Sequence, residues 1–257
     1  NRFLTGVRQG ADGRFDTIEP VALDFVKAHL DRFRGKPFLV HSGVLLDVVD
    51  GKGVLNSSTL ALLREALNPI MYDGFDCLEG VSQLIFDLHD GFHRLVDHMA
   101  AKHARIGCLM GYPGCVWFRP RLQGFLDGLY ANRLDFNPEW LKITSGQDRD
   151  EDFRALDAML KGPSRPTALI CANDMRALHA LDYSARHGIA VPGELAVAGS
   201  DNIPECAVSD PPLTTLDFQQ AATGRLAADW LLKRLLGKLT EPTRKWFKPE
   251  LIVRSST

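Results

Sequence analysis

The sequence predicts an α/β fold made of two doubly wound parallel-sheet halves. Short apolar runs of strand length alternate with amphipathic helical patterns along almost the whole 257-residue chain, and this alternation is typical of parallel sheets covered by helices. Five or six strand candidates lie on each side of residue 104, which indicates two halves of similar size. The length and a hydrophobic content of 45% allow a large core in one or two domains.

Each strand candidate is a short apolar run bounded by turn-forming residues. In chain order the strand candidates are residues 3–7, 37–41, 53–55, 69–72, 83–86, 105–110, 140–143, 167–171, 195–198, 214–218 and 250–254. Each helix candidate repeats apolar residues at intervals of three and four. In chain order the helix candidates are residues 20–33, 58–67, 91–102, 121–132, 150–160, 175–187 and 221–236.

The segment between residues 41 and 53 is too short for the strand–helix–strand crossover of a parallel sheet. Such a crossover needs about ten to twelve residues or more, including its helix. We therefore expect either one cramped helix in "SGVLLDVVDGKG" or residues missing from the sequence at this point.

The charge and cysteine content exclude several classes of protein. The chain has 30 basic and 32 acidic residues, whereas a protein that binds nucleic acid by itself carries a basic patch. The five cysteines are odd in number and form no C-x-x-C pair, which favours reduced, buried thiols in a cytoplasmic protein.

No apolar run of about eighteen residues is present to span a bilayer, and no leader is visible unless one has been removed.

Two polar residues stand where a predicted strand joins a predicted helix. The segment "LICANDMRALHAL" places Asn173 and Asp174 at this junction. Both residue types are good N-caps, because a side-chain oxygen can accept hydrogen bonds from the free amides of the first helical turn. Capping is therefore the expected role of one member of the pair.

Three predicted strands are followed by polar or aromatic residues. Trp117, Arg119 and Arg121 follow the strand at 105–110, Asn173 follows the strand at 167–171, and Asp201 follows the strand at 195–198. In open parallel sheets the carboxyl ends of the strands share one edge, and ligands bind there. We therefore expect these five side chains at one edge, with Asn173 a candidate ligand contact.

Arg121 is the strongest of these candidates because it opens the predicted helix "RLQGFLDGLY". The positive end of a helix dipole disfavours a cation by about 0.3–1 kcal/mol, so a nearby group should compensate. Asp201 could do so in a purely structural pair, and a ligand carboxylate, phosphate or vicinal diol could do so through the planar guanidinium donors. Gly199 permits a close backbone approach before Asp201.

Several segments together resemble the effector-binding domain of the lactose-repressor family of bacterial transcription regulators. They are "DGFHRLVDHMAAKHARIGCLMG", "RLQGF", "PTALICANDMRALHALDYSARHGIAVPGELAVAGSDN", "PPLTTLDFQQ" and the final "RSST", and the match covers nearly all of residues 69–257. The resemblance implies a type I periplasmic-binding-protein-like fold, in which three crossover strands join two lobes and a small polar molecule, such as a sugar or purine, binds in the interlobe cleft.

The resemblance also implies where the lobes divide. The crossings would fall near residue 104, at 215–218 and at 246–249. The N-terminal lobe would contain residues 1–103 and 216–246, and the C-terminal lobe residues 104–215 and 247–257.

The positions within these motifs imply a set of ligand-binding residues. Arg121 matches the effector-contacting arginine of the family, Asn173 its "ND" asparagine, and Asp201 the aspartate after the following strand. Gln147 lies where many members place a residue over the ligand, and Trp117 offers a stacking face, although an aromatic residue at a strand edge is more often part of the core. Weaker candidates lie in the first lobe: Phe15, Asp16, Tyr72, Asp73 and Asp87.

The resemblance further implies partners. Such regulators read two-fold operators, so we expect a homodimer, with DNA bound only through a headpiece that is absent from this chain. A sensor domain of another signalling protein and a periplasmic solute-binding protein of the same fold remain alternatives.

Competing chemistry has weak support in the sequence. His89 and His93 have the i, i+4 spacing of a zinc site, with Asp97 and His98 beyond them, but a solvated helix start explains them as well. The glycines at 6, 10 and 13 lack G-x-G-x-x-G spacing, and no Walker lysine or nucleophile elbow is present. We therefore expect neither an enzyme nor a bound metal or cofactor.

Overall fold

The computed structural model describes residues 2–11, 28–29, 32, 34, 36–41, 46–49, 52–55, 57–66, 68–72, 78–145 and 148–257. The chain forms two compact units. The first contains Asn1–Phe86 and Gln219–Phe247, and the second contains Asp87–Phe218 and Lys248–Thr257.

The first passage of the chain between the units differs from the predicted lobe boundary. It lies between Phe86 and Asp87, whereas the sequence placed it near residue 104. The helix Leu88–Ala100 belongs to the second unit, because it packs closely on the helix Phe118–Ala131. Residues 216–218 also lie in the second unit.

The described helices are α1 (Arg2–Ala11), α2 (Ser57–Ala66), α3 (Leu88–Ala100), α4 (Phe118–Ala131), α5 (Arg149–Leu160), α6 (Asp174–Arg186) and α7 (Gln220–Leu235). The described strands are β1 (Pro37–His41), β2 (Leu46–Val49), β3 (Lys52–Leu55), β4 (Asn68–Tyr72), β5 (Ser82–Phe86), β6 (Ile106–Met110), β7 (Leu141–Ile143), β8 (Ala168–Cys171), β9 (Ala196–Ser200), β10 (Thr214–Asp217), β11 (Arg244–Phe247) and β12 (Glu250–Ile252). The predicted helix at 20–33 lies largely outside the described residues.

The first unit is built on a four-stranded parallel sheet in the order β1-β4-β5-β11. The sequence did not predict β11, because its residues "RKWF" are mostly exposed at the sheet edge and lack the apolar run of a buried strand. Edge strands often carry charged residues, which discourage pairing with other chains.

The prediction of a strand at residues 3–7 is wrong, because these residues form helix α1. Phe3, Val7 and Ala11 are buried at intervals of four, which is helical spacing. The helix lies close against α7, since an added Cβ at Gly6 would stand 2.0 Å from the carbonyl oxygen of Ala221. The run of apolar residues was short, and short runs do not distinguish a strand from a buried helix.

The expected helix between residues 41 and 53 is also wrong. Strands β2 and β3 pair antiparallel in a two-stranded sheet, with Leu46 opposite Leu55 and Val49 opposite Lys52. The sequence signal for this hairpin is the Asp-Gly dipeptide at residues 50–51 between two apolar runs.

The second unit is built on a six-stranded sheet in the order β12-β10-β9-β8-β6-β7. All neighbours are parallel except β12, which runs antiparallel to β10. Strands β6, β8 and β9 are buried along their whole length, as expected for strands covered on both faces. The predicted α/β class with parallel sheets is confirmed, and the carboxyl ends of β6, β8 and β9 share one edge.

Close packing of α4 on α3 fixes the helix that carries Arg121. An added Cβ at Gly124 would stand 2.2 Å from the carbonyl oxygen of His89, and one at Gly128 would stand 2.7 Å from Cβ of Val96. Both glycines therefore let the two helices approach more closely than larger residues would allow.

Every helix in the described part of the chain is too short or too polar to cross a membrane.

The α3–α4 contact gives a testable consequence for stability. Gly124→Ala should lower the free energy of unfolding by about 1–3 kcal/mol, because the methyl group collides with backbone rather than with a movable side chain. Chemical denaturation measures the change. Gly193→Ala is the matched control in the same unit, since its nearest neighbour would be 3.5 Å away, and its effect should stay within about 0.5 kcal/mol. Equal effects would contradict close packing at Gly124.

Candidate ligand-binding site

A cavity of about 200 Å³ lies at the carboxyl edge of the second sheet. Its walls come from the segments that follow β6, β7 and β8, and they combine aromatic faces, two guanidinium groups and small polar groups. The lining residues are Met110, Gly111, Tyr112, Cys115, Trp117, Phe118, Arg121, Ser145, Ala172, Asn173 and Arg176. Three of the residues predicted from the sequence, Trp117, Arg121 and Asn173, are therefore brought together.

Asn173 has two roles at the junction of β8 and α6. Its side-chain oxygen accepts a hydrogen bond from the backbone amide of Arg176 at 3.1 Å, which is the N-cap predicted for one member of the pair. The same residue lines the cavity. Capping fixes the side chain, so the rest of its amide group is held at the cavity wall.

Asp174 is a buried brace rather than a cavity residue. Its carboxylate accepts hydrogen bonds from the Thr215 hydroxyl at 2.5 Å and from the Ile203 amide at 2.9 Å. Burial raises the pKa of this carboxyl, and the two hydrogen bonds offset part of that shift. An added Cβ at Gly199 would stand 2.3 Å from its Oδ1 atom, which explains the glycine better than a ligand approach does.

Arg121 lies in the first turn of α4, which begins three residues earlier than predicted. Its Nη2 atom is 3.8 Å from Oδ1 of Asp201, which is beyond hydrogen-bonding distance. Its guanidinium carbon lies 5.8 Å from the ring centroid of Phe92, and its side chain is 12% exposed. The Nε atom is buried and has no hydrogen-bond partner within the described residues. The ion pair with Asp201 therefore leaves a buried donor unsatisfied.

The turn after β9 holds Asp201 in an unusual backbone conformation. Asp201 has φ of 120° and Asn202 has φ of 49°, and such values cost energy for residues other than glycine. The Asn202 side-chain Nδ2 donates to the Asp217 carboxylate at 2.8 Å, and Arg254 donates to the Asn202 side-chain oxygen, also at 2.8 Å. These bonds stabilise the turn and place Asp201 beside Arg121.

A second arginine reaches the cavity, and the sequence analysis missed it. Arg176 lies in the first turn of α6 and is nearly buried, with 4% of its side chain exposed. Its Nη2 and Nε atoms donate to the Thr144 hydroxyl oxygen at 3.0 and 3.2 Å. Arg176, like Arg121, is a cation in the first turn of a predicted helix, and this position is the sequence signal that indicates it.

A fully buried carboxylate lies behind Arg176. Oδ1 of Asp152 is 3.6 Å from the Arg176 Nε atom and accepts from the Thr144 hydroxyl at 2.9 Å. Its other oxygen is 2.8 Å from Nδ1 of His179. Asp152 therefore balances the buried arginine without lining the cavity itself.

The other predicted site residues that the structure describes do not line this cavity. Arg119 is exposed on α4. Tyr72 belongs to the first unit, where its ring stacks on that of Phe3 with centroids 4.0 Å apart. Asp87 caps α3 by accepting from the Asp90 amide at 3.0 Å. The predicted candidates Phe15, Asp16, Asp73 and Gln147 lie outside the described residues.

Two histidines on α3 are bonded to carboxylates, and the third, His98, is bonded to the Thr257 hydroxyl. Nε2 of His89 is 2.8 Å from Asp127, and Nδ1 of His93 is 3.1 Å from Asp97. Within the described residues, no group of three or more histidine, cysteine, aspartate or glutamate side chains is arranged to hold a metal ion.

Comparison with known families supports the same fold. Residues 96–257 match a family model described as a periplasmic binding protein-like domain. The HTH-type transcriptional repressor PurR of Aliivibrio fischeri is 31% identical over 207 residues, which cover 79% of this chain and 61% of PurR. The HTH-type transcriptional repressor CytR of Escherichia coli is 35% identical over 156 residues, which cover 60% of this chain and 45% of CytR. The chain thus spans about three fifths of PurR and less of CytR.

Solved structures agree over the whole chain. A regulatory protein of the LacI family from Chloroflexus aggregans matches with a TM-score of 0.84 at 21% identity, covering 99% of this chain and 91% of that protein. The transcriptional regulator CelR, solved in complex with cellobiose, matches with a TM-score of 0.78 at 23% identity, covering 100% of this chain and 78% of that protein. The periplasmic-binding-protein-like fold that the resemblance implied is confirmed.

The brace at Asp174 can be tested separately from ligand binding. Asp174→Ala should lower the free energy of unfolding by at least about 1–3 kcal/mol, because the buried Thr215 hydroxyl loses its acceptor. Asp182→Ala on the same helix is the control, since Asp182 is 39% exposed and pairs with Arg149 and Arg186 at the surface. Its effect should stay below about 1 kcal/mol. Denaturant melts that rank the two variants in the opposite order would contradict the brace.

Proposed function

Since the chain belongs to the family of periplasmic binding protein-like domains, as the effector-binding domain of a lactose-repressor-family regulator, we propose that it senses a small polar molecule such as a sugar or a purine. The molecule binds in the cavity at the carboxyl ends of β6 and β8. One observation carries this proposal: Arg121 lines the cavity, and its Nε donor is buried without a hydrogen-bond partner among the described residues. A polar ligand offsets the cost of that donor, which is about 1–3 kcal/mol when nothing binds it.

The rest of the cavity suits a ring-shaped polar ligand. Tyr112, Trp117 and Phe118 supply aromatic surface, and Asn173 and Ser145 supply hydrogen-bonding groups. Sites for small molecules combine a largely apolar wall with a few placed polar groups in this way. Trp117 is half-buried, so its ring can contribute both to the wall and to stacking on a ligand.

The whole protein is proposed to be a transcription regulator of the cytoplasm. PurR and CytR are named as transcriptional repressors, and both are longer than this chain. We therefore propose that the chain acts by binding and not by catalysis, and that DNA is bound by another part of the protein. Cys108, Cys171 and Cys206 are buried free thiols, which favours a reducing compartment.

Arg121 provides the first test of ligand binding. Ribose, cellobiose, adenine and citrate are screened for a rise in melting temperature of the unmodified chain. A ligand at about a hundred times its Kd should stabilise it by about 2.7 kcal/mol. Arg121→Ala should abolish this rise without unfolding the protein, because the guanidinium donors are lost.

Arg119→Ala is the matched control for that experiment. Arg119 lies two residues away on the same helix, but it is exposed and does not line the cavity. This variant should respond to the ligand as the unmodified chain does. Retained binding in Arg121→Ala would remove Arg121 from the site, and loss of folding would instead favour a structural pair with Asp201.

Assembly gives a separate test of the regulator proposal. Regulators that read two-fold operators form isologous dimers, so light scattering at micromolar concentration should give twice the mass of one chain. A gel shift with this chain alone should show no operator binding, because the chain has 30 basic and 32 acidic residues and so no excess of positive charge. A monomer would count against the regulator and favour a solute-binding protein.

A further inference from the structure

The cavity is lined by two cations and, within the described residues, by no carboxylate. Arg121 and Arg176 both line it, and they come from two different helices of the second unit. Each arginine lies in the first turn of its helix, α4 or α6. The positive end of a helix dipole disfavours a cation there by about 0.3–1 kcal/mol. The helix dipole therefore disfavours both placements, and an anion bound between the two arginines would offset that cost.

Arg176 is held rigidly in this unfavourable position. Its Nε and Nη2 atoms both donate to Thr144, and the fully buried Asp152 lies 3.6 Å from Nε. Thr144 and His179 bind the two oxygens of Asp152 in turn. The arginine therefore keeps one orientation, and no rotamer entropy has to be lost when a ligand binds.

The end of β6 is shaped to admit this guanidinium. Gly111 follows the last residue of β6, and an added Cβ there would stand 3.3 Å from Cζ of Arg176. That distance is tighter than ordinary van der Waals contact, so a side chain at this position would press on the guanidinium. A glycine at the strand end thus leaves the arginine room at the cavity wall.

The charge of Asp152 does not cancel the field in the cavity. Asp152 is fully buried and does not line the cavity, whereas Arg176 does. The pair therefore acts as a dipole whose positive member is at the wall. The helix dipoles of α4 and α6 add to this field, and in a small, partly enclosed cavity such a field is screened less than at the surface.

We propose that the effector carries an anionic group, a carboxylate or a phosphate, that Arg176 binds together with Arg121. The inference rests on the proposed function and narrows its ligand class. The cavity volume of about 200 Å³ is below the roughly 300–1,000 Å³ typical of drug-sized ligands, so the anion belongs to a small molecule. With aromatic side chains on the remaining wall, a sugar acid or a sugar phosphate fits this chemistry.

Matched pairs of probes test the charge preference in the unmodified chain. Isothermal titration calorimetry compares glucose 6-phosphate with glucose and galacturonate with galactose, and inorganic phosphate serves as the bare anion. The charged member of at least one pair should bind at least about tenfold more tightly than its neutral partner, and added salt should weaken only the charged member. Preference for glucose 6-phosphate identifies a phosphate ligand, and preference for galacturonate identifies a carboxylate.

Variants of Arg176 then assign the preference to this residue. Arg176→Gln should reduce the ratio of charged to neutral affinity by at least about tenfold, and Arg176→Lys should retain part of it because the charge remains while the planar donor fork is lost. Arg119→Gln is the control and should leave the ratio unchanged, since Arg119 is exposed away from the cavity. Thermal unfolding of each variant is measured first, and if Arg176→Gln is unfolded, the lysine variant and the unmodified chain still decide the outcome.

The outcomes separate this inference from the proposed function. If glucose or galactose binds as tightly as its charged partner, the anion preference is overturned while ligand sensing stands. If Arg176→Gln keeps the full preference, Arg176 is not the residue responsible and the assignment is overturned. If none of the sugars, sugar acids or phosphates binds, both the inference and the proposed sugar ligand fail.

Discussion

The candidate site depends on the hydrogen bonds that the Asp174 carboxylate accepts. The carboxylate joins the start of α6 to Thr215 on β10 and to the backbone of Ile203 after β9. Because this carboxylate is buried and fixed on two sides, the neighbouring Asn173 can cap α6 and still line the cavity. The same bond to Ile203 anchors the turn in which Asp201 takes a positive φ. A single brace thus links the segments that follow β8 and β9 to strand β10.

The electrostatic design of the site follows from where the helices begin. Helices α4 and α6 both start at the carboxyl edge of the sheet, so their positive ends face the same region. Each first turn carries an arginine, and the two are balanced differently: Arg121 has a long ion pair with Asp201, whereas Arg176 donates to Thr144 and lies beside the buried Asp152. Arg121 is therefore the group with most to gain from a ligand, and Arg176 is the group already oriented to receive one.

The sequence predicted the structure best where a residue pattern fits one kind of structural element and no other. Buried strands followed by polar residues predicted the edge at which Asn173 and Arg121 lie, because parallel sheets gather their strand ends on one side. It misled at residues 3–7, where a short apolar run fits a strand and a buried helix equally well. It could not reveal that Asp152 supports Arg176, since 24 residues separate them and only packing of α5 on α6 brings them together. Of the predicted candidates, Arg119 lies outside the cavity. The sequence could not exclude it, because which face a residue takes depends on where the helix starts, and helix ends are hard to place from sequence.

Protection of Cys115 tests the location of the site most directly. Cys115 lines the cavity and is half-buried, whereas Cys108, Cys171 and Cys206 are buried. The rate at which iodoacetamide alkylates Cys115 is measured by peptide mass spectrometry, with and without the sugar or sugar derivative that raises the melting temperature most. A ligand in this cavity should slow alkylation of Cys115 in proportion to its saturation, while a neutral sugar that does not bind should have no effect. An unchanged rate at proven saturation would place the ligand elsewhere and contradict the account.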